Sequence, residues 1–279
     1  MKIAITGGKG GTGKSTIATA LALELAEKNK TLLIDADVDC PNDHLILGIK
    51  RKKVREIFQP IPKFDFEKCK KCGKCSEVCR ENAIVFVKGN YPILIPEQCI
   101  GCSACIISCP YNAISKDKKK IGTIYSGKIK NLDFLSAETE IGVEEESPVV
   151  NALKEQAKDK EKEQNYGFIL IDTSPGTHCN VISALSGVDS AFCITEPTPL
   201  GQHVLKLILQ LLEKLKIPSK IILNKADIGD KKLIQEIAKK FKAEIIAEIP
   251  YSKEILQAYS KGLPIKHESI EKIAENLEK

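Results

Sequence analysis

The sequence predicts an α/β protein in which a mostly parallel sheet carries helices on both faces and is interrupted by a smaller, inserted α+β domain. The chain opens with a strand (residues 2–6), a glycine loop (7–13), a helix (14–28) and a second strand (31–34). Short apolar strands return after residue 168, separated by helical stretches. Continuous apolar strands that alternate with helices are typical of a parallel sheet covered on both sides.

The second half of the chain repeats this alternation of strands and helices. Short apolar runs, each followed by a polar residue or a proline, predict four strands at residues 168–171, 190–195, 220–223 and 244–249. Apolar residues at helical spacing predict three helices at residues 202–215, 231–242 and 268–279. Before them we expect a strand pair at residues 120–125 and 132–139 and a charged, exposed helix at residues 152–164.

Between residues 61 and 117 the alternation stops, and a cysteine-rich segment takes its place. The sheet needs strands from both sides of this segment. We therefore expect residues 61–117 to be an insertion within one main domain, which consists of residues 1–60 and 118–279. Pro60-Ile61-Pro62 is interpreted as the linker at which the insertion begins.

Composition narrows the possible functions. The net charge is +5, and the densest lysine runs, 50–53 and 116–120, are interpreted as solvated loops. Aromatic residues are only 5% and Trp is missing, so the mixture of basic and aromatic residues that favours nucleic-acid binding is lacking. No apolar run reaches about 18 residues, and the N-terminus lacks a signal-peptide pattern. We expect a cytoplasmic protein with neither a nucleic-acid nor a membrane partner.

A phosphate-binding loop is the clearest motif of the first domain. Residues 8–15, GKGGTGKS, fit G-x4-G-K-[S/T] between a predicted strand and a predicted helix. Glycines let backbone N–H groups approach phosphates, and the helix N-terminus adds a positive dipole end. Lys14 is expected to reach the β- and γ-phosphates, and the Ser15 hydroxyl to bind Mg²⁺. The predicted nucleotide-binding residues of this segment are Gly8, Lys9, Gly10, Gly11, Thr12, Gly13, Lys14, Ser15 and Thr16.

With a lysine at position 9 followed by two glycines, this loop resembles the deviant Walker A loop of the MinD-type (SIMIBI) P-loop ATPases. In that group the equivalent of Lys9 crosses a homodimer interface to the partner's nucleotide. The resemblance implies a homodimer across the nucleotide site, with Lys9 and Lys14 as catalytic residues. Two further segments resemble the group: residues 35–37 follow the second strand like switch I, and residues 172–176 follow a later strand like Walker B and switch II.

The same resemblance implies roles at these switches. Asp37 is the third catalytic residue, which would position or polarise the attacking water. Asp35 and Asp172 would lie with Ser15 around Mg²⁺, and Gly176 would sense the γ-phosphate. Such a site works by positioning groups and neutralising phosphoryl charge.

The identity of the base stays open at this point. Asn224-Lys225-Ala226-Asp227 follows a predicted strand and matches N-K-x-D, a guanine-binding motif in many GTPases. In the MinD-like group the equivalent of Asn224 faces adenine, helped by the loop that contains Pro250 and Tyr251. The deviant loop favours ATP, whereas Asp227 keeps GTP possible.

Eight cysteines lie between residues 69 and 109, and the spacing C-x2-C-x2-C-x3-C occurs twice. Each run is followed by Asn-Ala-Ile, which indicates an internal repeat of about thirty residues. The spacing resembles bacterial two-cluster ferredoxins, where three cysteines of one run and the last of the other hold each cubane. The resemblance implies [4Fe–4S] cluster I on Cys69, Cys72, Cys75 and Cys109, and cluster II on Cys99, Cys102, Cys105 and Cys79.

Two details qualify this second resemblance. A zinc site would show two paired C-x2-C knuckles rather than two four-cysteine runs, so iron–sulfur clusters are favoured. Arg80 stands where the ferredoxin pattern has a proline, which the second run keeps as Pro110. This difference removes no ligand from either cluster.

Nearly end to end, the chain resembles MinD-superfamily P-loop ATPases with an inserted 2[4Fe–4S] ferredoxin domain. This implies an ATP- and Mg²⁺-dependent ATPase that couples its nucleotide state to electron transfer toward a redox or Fe–S acceptor protein. One alternative is a cluster or metal carrier, although Cys179 stands alone where such carriers have a C-x-x-C. A metal or redox role and a buried apolar role for Cys179 both stay open. The other alternative is a positioning ATPase of the MinD/ParA kind.

Overall fold

The computed structural model describes residues 1–263 and 265–278, and the chain forms two compact units. The first unit comprises Met1–Val54, Ile124–Glu138 and Ser147–Lys279. The second comprises Arg55–Thr123 and Thr139–Glu146 and contains all eight clustered cysteines. The segment predicted as an insertion, residues 61–117, falls inside the second unit, which extends beyond it on both sides.

The strands of the described residues form one large sheet and one small one. In chain order they are β1 (Lys2–Thr6), β2 (Thr31–Ala36), β3 (Lys52–Phe64), β4 (Ile84–Val85), β5 (Ile93–Leu94), β6 (Ile114–Ile129), β7 (Leu132–Thr139), β8 (Phe168–Thr173), β9 (Ser190–Thr195), β10 (Ser219–Asn224) and β11 (Glu244–Ile249). The large sheet has the order β11-β10-β9-β1-β8-β2-β7-β6-β3, and β4 pairs with β5. Every neighbouring pair from β11 to β7 is parallel, which confirms the mostly parallel sheet.

The described residues contain ten α-helices, the last two of which follow the final strand. They are α1 (Lys14–Ala26), α2 (Asp43–Ile46), α3 (Lys74–Glu77), α4 (Ala104–Ile107), α5 (Ser147–Glu163), α6 (Cys179–Leu185), α7 (Pro199–Leu215), α8 (Lys232–Phe241), α9 (Lys253–Ser260) and α10 (Glu268–Leu277). The helix predicted to end at residue 279 ends earlier, and residue 279 itself lies outside the described residues. Across the described ranges, no helix is both long and apolar enough to span a bilayer.

Helices cover both faces of the parallel sheet, as predicted. Successive side chains of a strand point to opposite faces. In β1, Ile3 and Ile5 join a core cluster with residues of α1 and α10. Ala4, between them, joins a second cluster with residues of α6, α7 and α8. The first domain therefore has two apolar cores, one on each side of the sheet.

The structure corrects three predictions about the connecting segments. Pro60-Ile61-Pro62 is not a linker, because it lies inside β3. The two lysine runs lie largely on β3 and β6 rather than in loops. β3 is the last strand in the sheet order, where proline is tolerated and lysine is common. Helix α5 is not exposed all round, since it buries Val149, Val150 and Leu153.

The second unit repeats its backbone conformation at intervals of 30 residues. Gly73 (φ 80°) and Ser103 (φ 63°) both precede a one-turn helix in the left-handed conformation. Asn82 (φ 53°) and Asn112 (φ 48°) are also left-handed, and each donates its backbone N–H to the carbonyl of the last cysteine of its run, at 3.3 Å. The internal repeat predicted from the cysteine spacing is therefore present in the backbone.

Candidate functional site

The loop between β1 and α1 requires glycine at several positions. Gly13, which precedes the first turn of α1, has φ 93°, a conformation that other residues rarely adopt. A Cβ at Gly13 would also collide with the side-chain amide of Asn224. At Gly7 a Cβ would lie 2.7 Å from the carbonyl oxygen of Ile194, and at Gly8 it would lie 2.7 Å from Cβ of Val204. The loop is thus packed against neighbouring strands and helices.

Lys14 is a buried cation at the centre of this loop. Its side chain is only 6% exposed, and its Nζ donates to the backbone oxygen of Lys9 at 3.3 Å. Burial lowers the pKa of Lys14, and the nearby carboxyls of Asp172 and Asp37 oppose that shift. A desolvated ammonium with one weak carbonyl partner is well suited to bind a phosphate group.

Ser15 and Asp172 meet as predicted. The Ser15 Oγ donates to Oδ2 of Asp172 at 2.6 Å, which joins the first turn of α1 to the end of β8. Asp172 is 1% exposed, and its Oδ1 has no hydrogen-bond partner among the described residues. Burial raises the pKa of Asp172 to about 7, although the Ser15 hydrogen bond and Lys14 act in the opposite direction. The hydroxyl and the carboxyl form a pair of hard oxygen ligands suited to Mg²⁺.

Asp35 lies beside Asp172 because β2 and β8 are parallel neighbours in which these two residues are paired in register. Both Asp35 oxygens accept backbone N–H groups, from Asp37 at 3.2 Å and from Asp43 at 3.1 Å. Asp43 itself is fully buried, and one carboxylate oxygen from each of Asp35, Asp43 and Asp172 lies within 4.8 Å of the other two. Burial raises the pKa of Asp35 and of Asp43 well above the usual range.

Sequence analysis did not identify Asp43 as a site residue. It follows the recognised Asp35–Asp37 motif by six residues and opens a helix of only four residues. An isolated acidic residue at such a place fits no motif. Only the strand register and the path of the chain from β2 into α2 bring its side chain to the other two carboxyls.

The loop after β8 contacts both Asp37 and the phosphate loop. The Ser174 hydroxyl donates to Oδ1 of Asp37 at 3.1 Å. The backbone N–H of Gly176 donates to the carbonyl of Gly7 at 3.3 Å, and Gly176 has φ 99°. Burial raises the pKa of Asp37, whereas the Ser174 hydrogen bond and Lys14 lower it. The two predicted switch segments are therefore directly connected.

One cavity of about 380 Å³ brings most of the predicted nucleotide residues together. The predicted residues that line it are Gly10, Gly11, Gly13, Lys14, Ser15, Thr16, Asp37, Asn224 and Pro250. Its lining does not include Gly8, Lys9, Thr12, Asp35, Asp172 or Gly176. The opposite wall is formed by Tyr251 and by Ile255, Leu256 and Tyr259 of α9, a helix that sequence analysis did not predict.

The side chains of Asn224 and Lys225 support the phosphate loop. Asn224 Nδ2 donates to the carbonyl of Thr12 at 2.8 Å. Lys225 Nζ donates to the carbonyl of Gly11 at 3.1 Å and pairs with the carboxylate of Glu196. The side chains of the first two residues of the N-K-x-D motif therefore donate hydrogen bonds to backbone carbonyls of the phosphate loop.

Asp227, the last residue of this motif, is bonded to the neighbouring loop. Its Oδ1 accepts the backbone N–H of Tyr251 at 2.6 Å. This bond fixes the segment that carries Pro250, which lines the cavity. One of the two Asp227 oxygens therefore already accepts a hydrogen bond from within the chain.

Lys9 stays within its own chain in this structure. Its Nζ lies 3.8 Å from Oε2 of Glu196, and its side chain is 38% exposed. Glu196 is only 6% exposed, and its carboxylate lies close to two lysine ammonium groups, those of Lys9 and Lys225. Lys9 is at the rim of the loop, where another molecule could reach it.

The second unit contains two cavities, and four cysteines line each of them. A cavity of about 420 Å³ is lined by Cys79, Cys99, Cys102 and Cys105, together with Arg80 and the Pro60–Pro62 segment. A narrower one, of about 20 Å³, is lined by Cys69, Cys72, Cys75 and Cys109. Each set combines three cysteines of one run with the last cysteine of the other.

The surroundings of these thiols are apolar. Cys75 and Cys105 are each 8% exposed and form a small core with Ile84 and Ile114. Burial raises the pKa of both thiols, that of Cys105 to about 11. Four thiols that line one cavity beside an apolar core are a donor set suited to an iron–sulfur cluster.

Two of the three cysteines outside the clustered runs, Cys179 and Cys193, lie in different environments. Cys179 begins α6 and is exposed, so the alternative of a buried apolar residue does not apply to it. Cys193 lies inside β9 with no exposure, and burial raises the pKa of its thiol to about 12.

Comparisons with known proteins identify the first unit's fold. A family model for the CobQ/CobB/MinD/ParA nucleotide binding domain matches residues 3–265. An uncharacterized protein of Methanocaldococcus jannaschii is 38% identical over 94% of this chain and 90% of its own. An iron-sulfur cluster carrier protein of Pyrococcus horikoshii is 22% identical over 95% of this chain and 78% of its own. A solved structure of the septum site-determining protein MinD from Pyrococcus horikoshii, complexed with Mg-ADP, has a similar fold. Its TM-score is 0.63, its sequence is 19% identical, and the match covers 100% of this chain and 96% of that chain.

The glycine requirement predicts that Gly13→Ala destabilises the nucleotide-free chain. The left-handed conformation alone costs roughly 1–2 kcal/mol for a residue with a Cβ, and the collision with Asn224 adds to it. Urea unfolding measures the change. Gly10→Ala is the matched control, since a Cβ there meets no atom within 4 Å and should change stability by less than about 0.5 kcal/mol. Equal effects of the two substitutions would contradict this account of the loop.

The buried carboxyls predict a pH dependence of stability in the presence of a chelator. Asp172 keeps its proton up to about pH 7 in the folded chain, whereas an unfolded Asp loses it near about pH 4. The folded state binds more protons in this window, so stability falls as the pH rises through it. Thermal unfolding between about pH 5 and pH 8 should show this fall. Asp172→Asn should reduce it without removing it, because Asp35 and Asp43 also have raised pKa values. Asp39→Asn, at an exposed position, should leave the slope unchanged.

Proposed function

The chain belongs to the CobQ/CobB/MinD/ParA nucleotide-binding family, and we propose that it is an ATP-hydrolysing iron–sulfur protein that couples its nucleotide state to electron transfer. The observation that carries the proposal is the pair of cysteine-lined cavities, which divide the eight thiols into the two interleaved sets of four. A complete phosphate-binding loop lies in the same chain. A chain with both features can use nucleotide binding to control redox groups.

In the proposed ATPase, each side chain around the phosphate loop has a defined task. Lys14 exchanges its weak carbonyl contact for phosphate oxygens. Ser15 Oγ and Asp172 Oδ2, which lie 2.6 Å apart, provide oxygen ligands for Mg²⁺. Asp35 lies opposite Asp172 on the neighbouring strand β2. Mg²⁺, when bound, neutralises the charge of the phosphate groups. Asp37, held by Ser174, lines the same cavity and positions the attacking water.

The contacts of the N-K-x-D motif favour adenine over guanine. A carboxylate that binds guanine accepts hydrogen bonds from two base nitrogens, which requires both of its oxygens. One oxygen of Asp227 accepts the Tyr251 backbone N–H instead. The cavity wall of Tyr251, Ile255 and Tyr259 provides flat and apolar surface against which an adenine can stack.

The proposed redox domain is the insertion, residues 61–117, which holds two [4Fe–4S] clusters. The proposed ATPase domain consists of residues 1–60 and 118–279. Cys69, Cys72, Cys75 and Cys109 are the ligands of cluster I, and Cys99, Cys102, Cys105 and Cys79 those of cluster II. When bound, such clusters carry single electrons. The chain's own task is to supply thiols within an apolar shell, and Cys75 and Cys105 lie in such a shell. Cluster binding would release the protons of these thiols.

We also propose that two chains associate across the nucleotide site. Lys9 is partly exposed at the rim of the loop and can be reached by a second copy. A redox or Fe–S acceptor protein is the second expected partner. Neither a nucleic acid nor a membrane is expected to be one.

A cluster carrier is the alternative function. The relative from Pyrococcus horikoshii is named an iron-sulfur cluster carrier protein, and the exposed Cys179 begins the helix after the second switch segment. A single thiol per chain provides only half of a C-x-x-C pair, so electron transfer remains the preferred proposal. ATP-accelerated transfer of a cluster to an acceptor that lacks one would favour the carrier.

The metal content tests the proposal directly. Anaerobically purified protein should contain about eight irons per chain, since each of two clusters holds four. Fewer than four irons, or zinc in their place, would refute the iron–sulfur assignment. Lys14→Ala should abolish ATP binding while the visible absorbance of the clusters stays unchanged, because the two sites belong to different units. Loss of both together would contradict this separation.

The contacts of Asp227 predict a preference for ATP. Fluorescent analogues of ATP and GTP should differ in Kd by at least about 100-fold, equivalent to roughly 2.7 kcal/mol. Asp227→Asn keeps an oxygen that can accept the Tyr251 N–H, so it should change ATP affinity by less than about threefold. Tight GTP binding that Asp227→Asn removes would show that Asp227 binds guanine after all.

A further inference from the structure

Each of the two cysteine sets in the second unit has one exposed member. Cys72 is exposed in the set assigned to cluster I, and Cys102, its equivalent in the repeat, is exposed in the set assigned to cluster II. Both sets can therefore be approached from outside the chain. The two positions differ in the charge that surrounds the exposed thiol.

The loop around Cys72 is strongly basic. Three lysines, Lys70, Lys71 and Lys74, are exposed and line the narrow cavity of the cluster I cysteines. Among the described residues that line this cavity, none is acidic. Within the described ranges, the ammonium groups of Lys70 and Lys74 form neither a hydrogen bond nor an ion pair. The loop therefore presents positive charge that the chain itself does not neutralise.

The second repeat does not have this positive charge. The residues at the equivalent positions are Ile100, Gly101 and Ala104. The charged residues that line its cavity are Arg80 and Glu81, one of each sign. Four thiolates make either cluster site negative. Balancing the charge of a cluster therefore does not explain lysines that are found in only one of the two repeats.

Lys71 also has a backbone conformation that favours glycine. Its φ is 55°, and the equivalent Gly101 has φ 75°. A residue with a Cβ is less stable than glycine in this conformation. The Lys71 ammonium lies 4.3 Å from the centroid of the Tyr91 ring, and the Tyr91 and Phe66 ring centroids are 4.6 Å apart. A cation–π contact thus holds a strained lysine on the surface, which is a sign of function rather than of stability.

We propose that an acidic redox protein binds to Lys70, Lys71 and Lys74 and accepts its electron from cluster I, an inference that rests on the proposed function. Complexes between electron-transfer proteins are small, and complementary charge speeds their formation. Because the three lysines line the cavity of cluster I itself, a partner bound to them lies next to that cluster. In each transfer, cluster I loses one electron and the redox group of the partner gains it.

Binding of an acidic probe protein to the intact, cluster-containing chain tests the proposal. The probe is an oxidised plant-type [2Fe–2S] ferredoxin, which is acidic, and the probe of opposite charge is cytochrome c. Anaerobic titration calorimetry measures Kd. We expect the ferredoxin to bind, with a Kd that rises at least about tenfold between about 50 mM and about 300 mM salt. Cytochrome c should bind at least about tenfold more weakly at the lower salt concentration.

Variants locate the binding surface. The triple variant Lys70→Gln, Lys71→Gln and Lys74→Gln should weaken ferredoxin binding at least about tenfold at low salt, because it removes three positive charges. Lys71→Gly introduces the residue of the second repeat, which suits the backbone conformation. It should weaken binding at least about threefold while the cluster absorbance stays unchanged. Ile100→Gln, at the equivalent of Lys70, should change Kd by less than about twofold.

A second triple variant is the matched control. It removes the same charge from three other exposed lysines of the second unit that line neither cysteine cavity: Lys63→Gln, Lys116→Gln and Lys118→Gln. Its Kd for ferredoxin should stay within about threefold of the wild-type value. An equal loss of binding in the two triple variants would overturn the proposal, since only net charge would then matter.

Three further outcomes would also overturn the proposal. They are the absence of salt-dependent ferredoxin binding by the wild-type chain, tighter binding of cytochrome c, and binding of single-stranded DNA in place of ferredoxin. If the first triple variant does not assemble its clusters, Lys71→Gly and Ile100→Gln decide the question. Iron is counted beforehand: a chain with about eight irons that does not bind ferredoxin refutes this inference alone, whereas fewer than about four irons refutes the proposed function.

Discussion

The parallel pairing of β2 with β8 is the constraint on which the first unit's site depends. Its register places Asp35 beside Asp172, and neighbouring strands lie only about 4.8 Å apart. β1, the other neighbour of β8, leads into the glycine loop, so Ser15 at the start of α1 reaches Asp172. A slip of one residue in this register would turn the carboxyls to the opposite faces of the sheet.

The electrostatics of the site follow from that geometry. Three carboxyls and one ammonium are brought together with almost no contact with water. Burial disfavours the charged form of every one of them, which is why the pKa values of the acids rise and that of Lys14 falls. Within this group only the Lys14 ammonium attracts a phosphate, whereas the carboxyls are stabilised by a cation or a proton.

Features that depend on short-range chemistry could be predicted from the sequence, and those that depend on tertiary contacts could not. The phosphate loop was predictable because Gly13, Lys14 and Ser15 must follow one another at fixed spacing. The division of the cysteines followed from the resemblance of their repeated spacing to two-cluster ferredoxins. Asp43 was missed because only the path of the chain from β2 into α2 brings it to Asp35. Pro60–Pro62 was misplaced because local propensity does not show that a segment is an edge strand.

The contact of one carboxylate with two lysines has a consequence for how copies of the chain could associate. Glu196 is almost fully buried and pairs with both Lys9 and Lys225. When Lys9 turns outward to another copy, Lys225 stays behind as the counter-ion, so the carboxylate is never left alone in the protein interior. Loss of the Lys9 contact would therefore leave Glu196 with a charged partner, because Lys225 pairs with the same carboxylate.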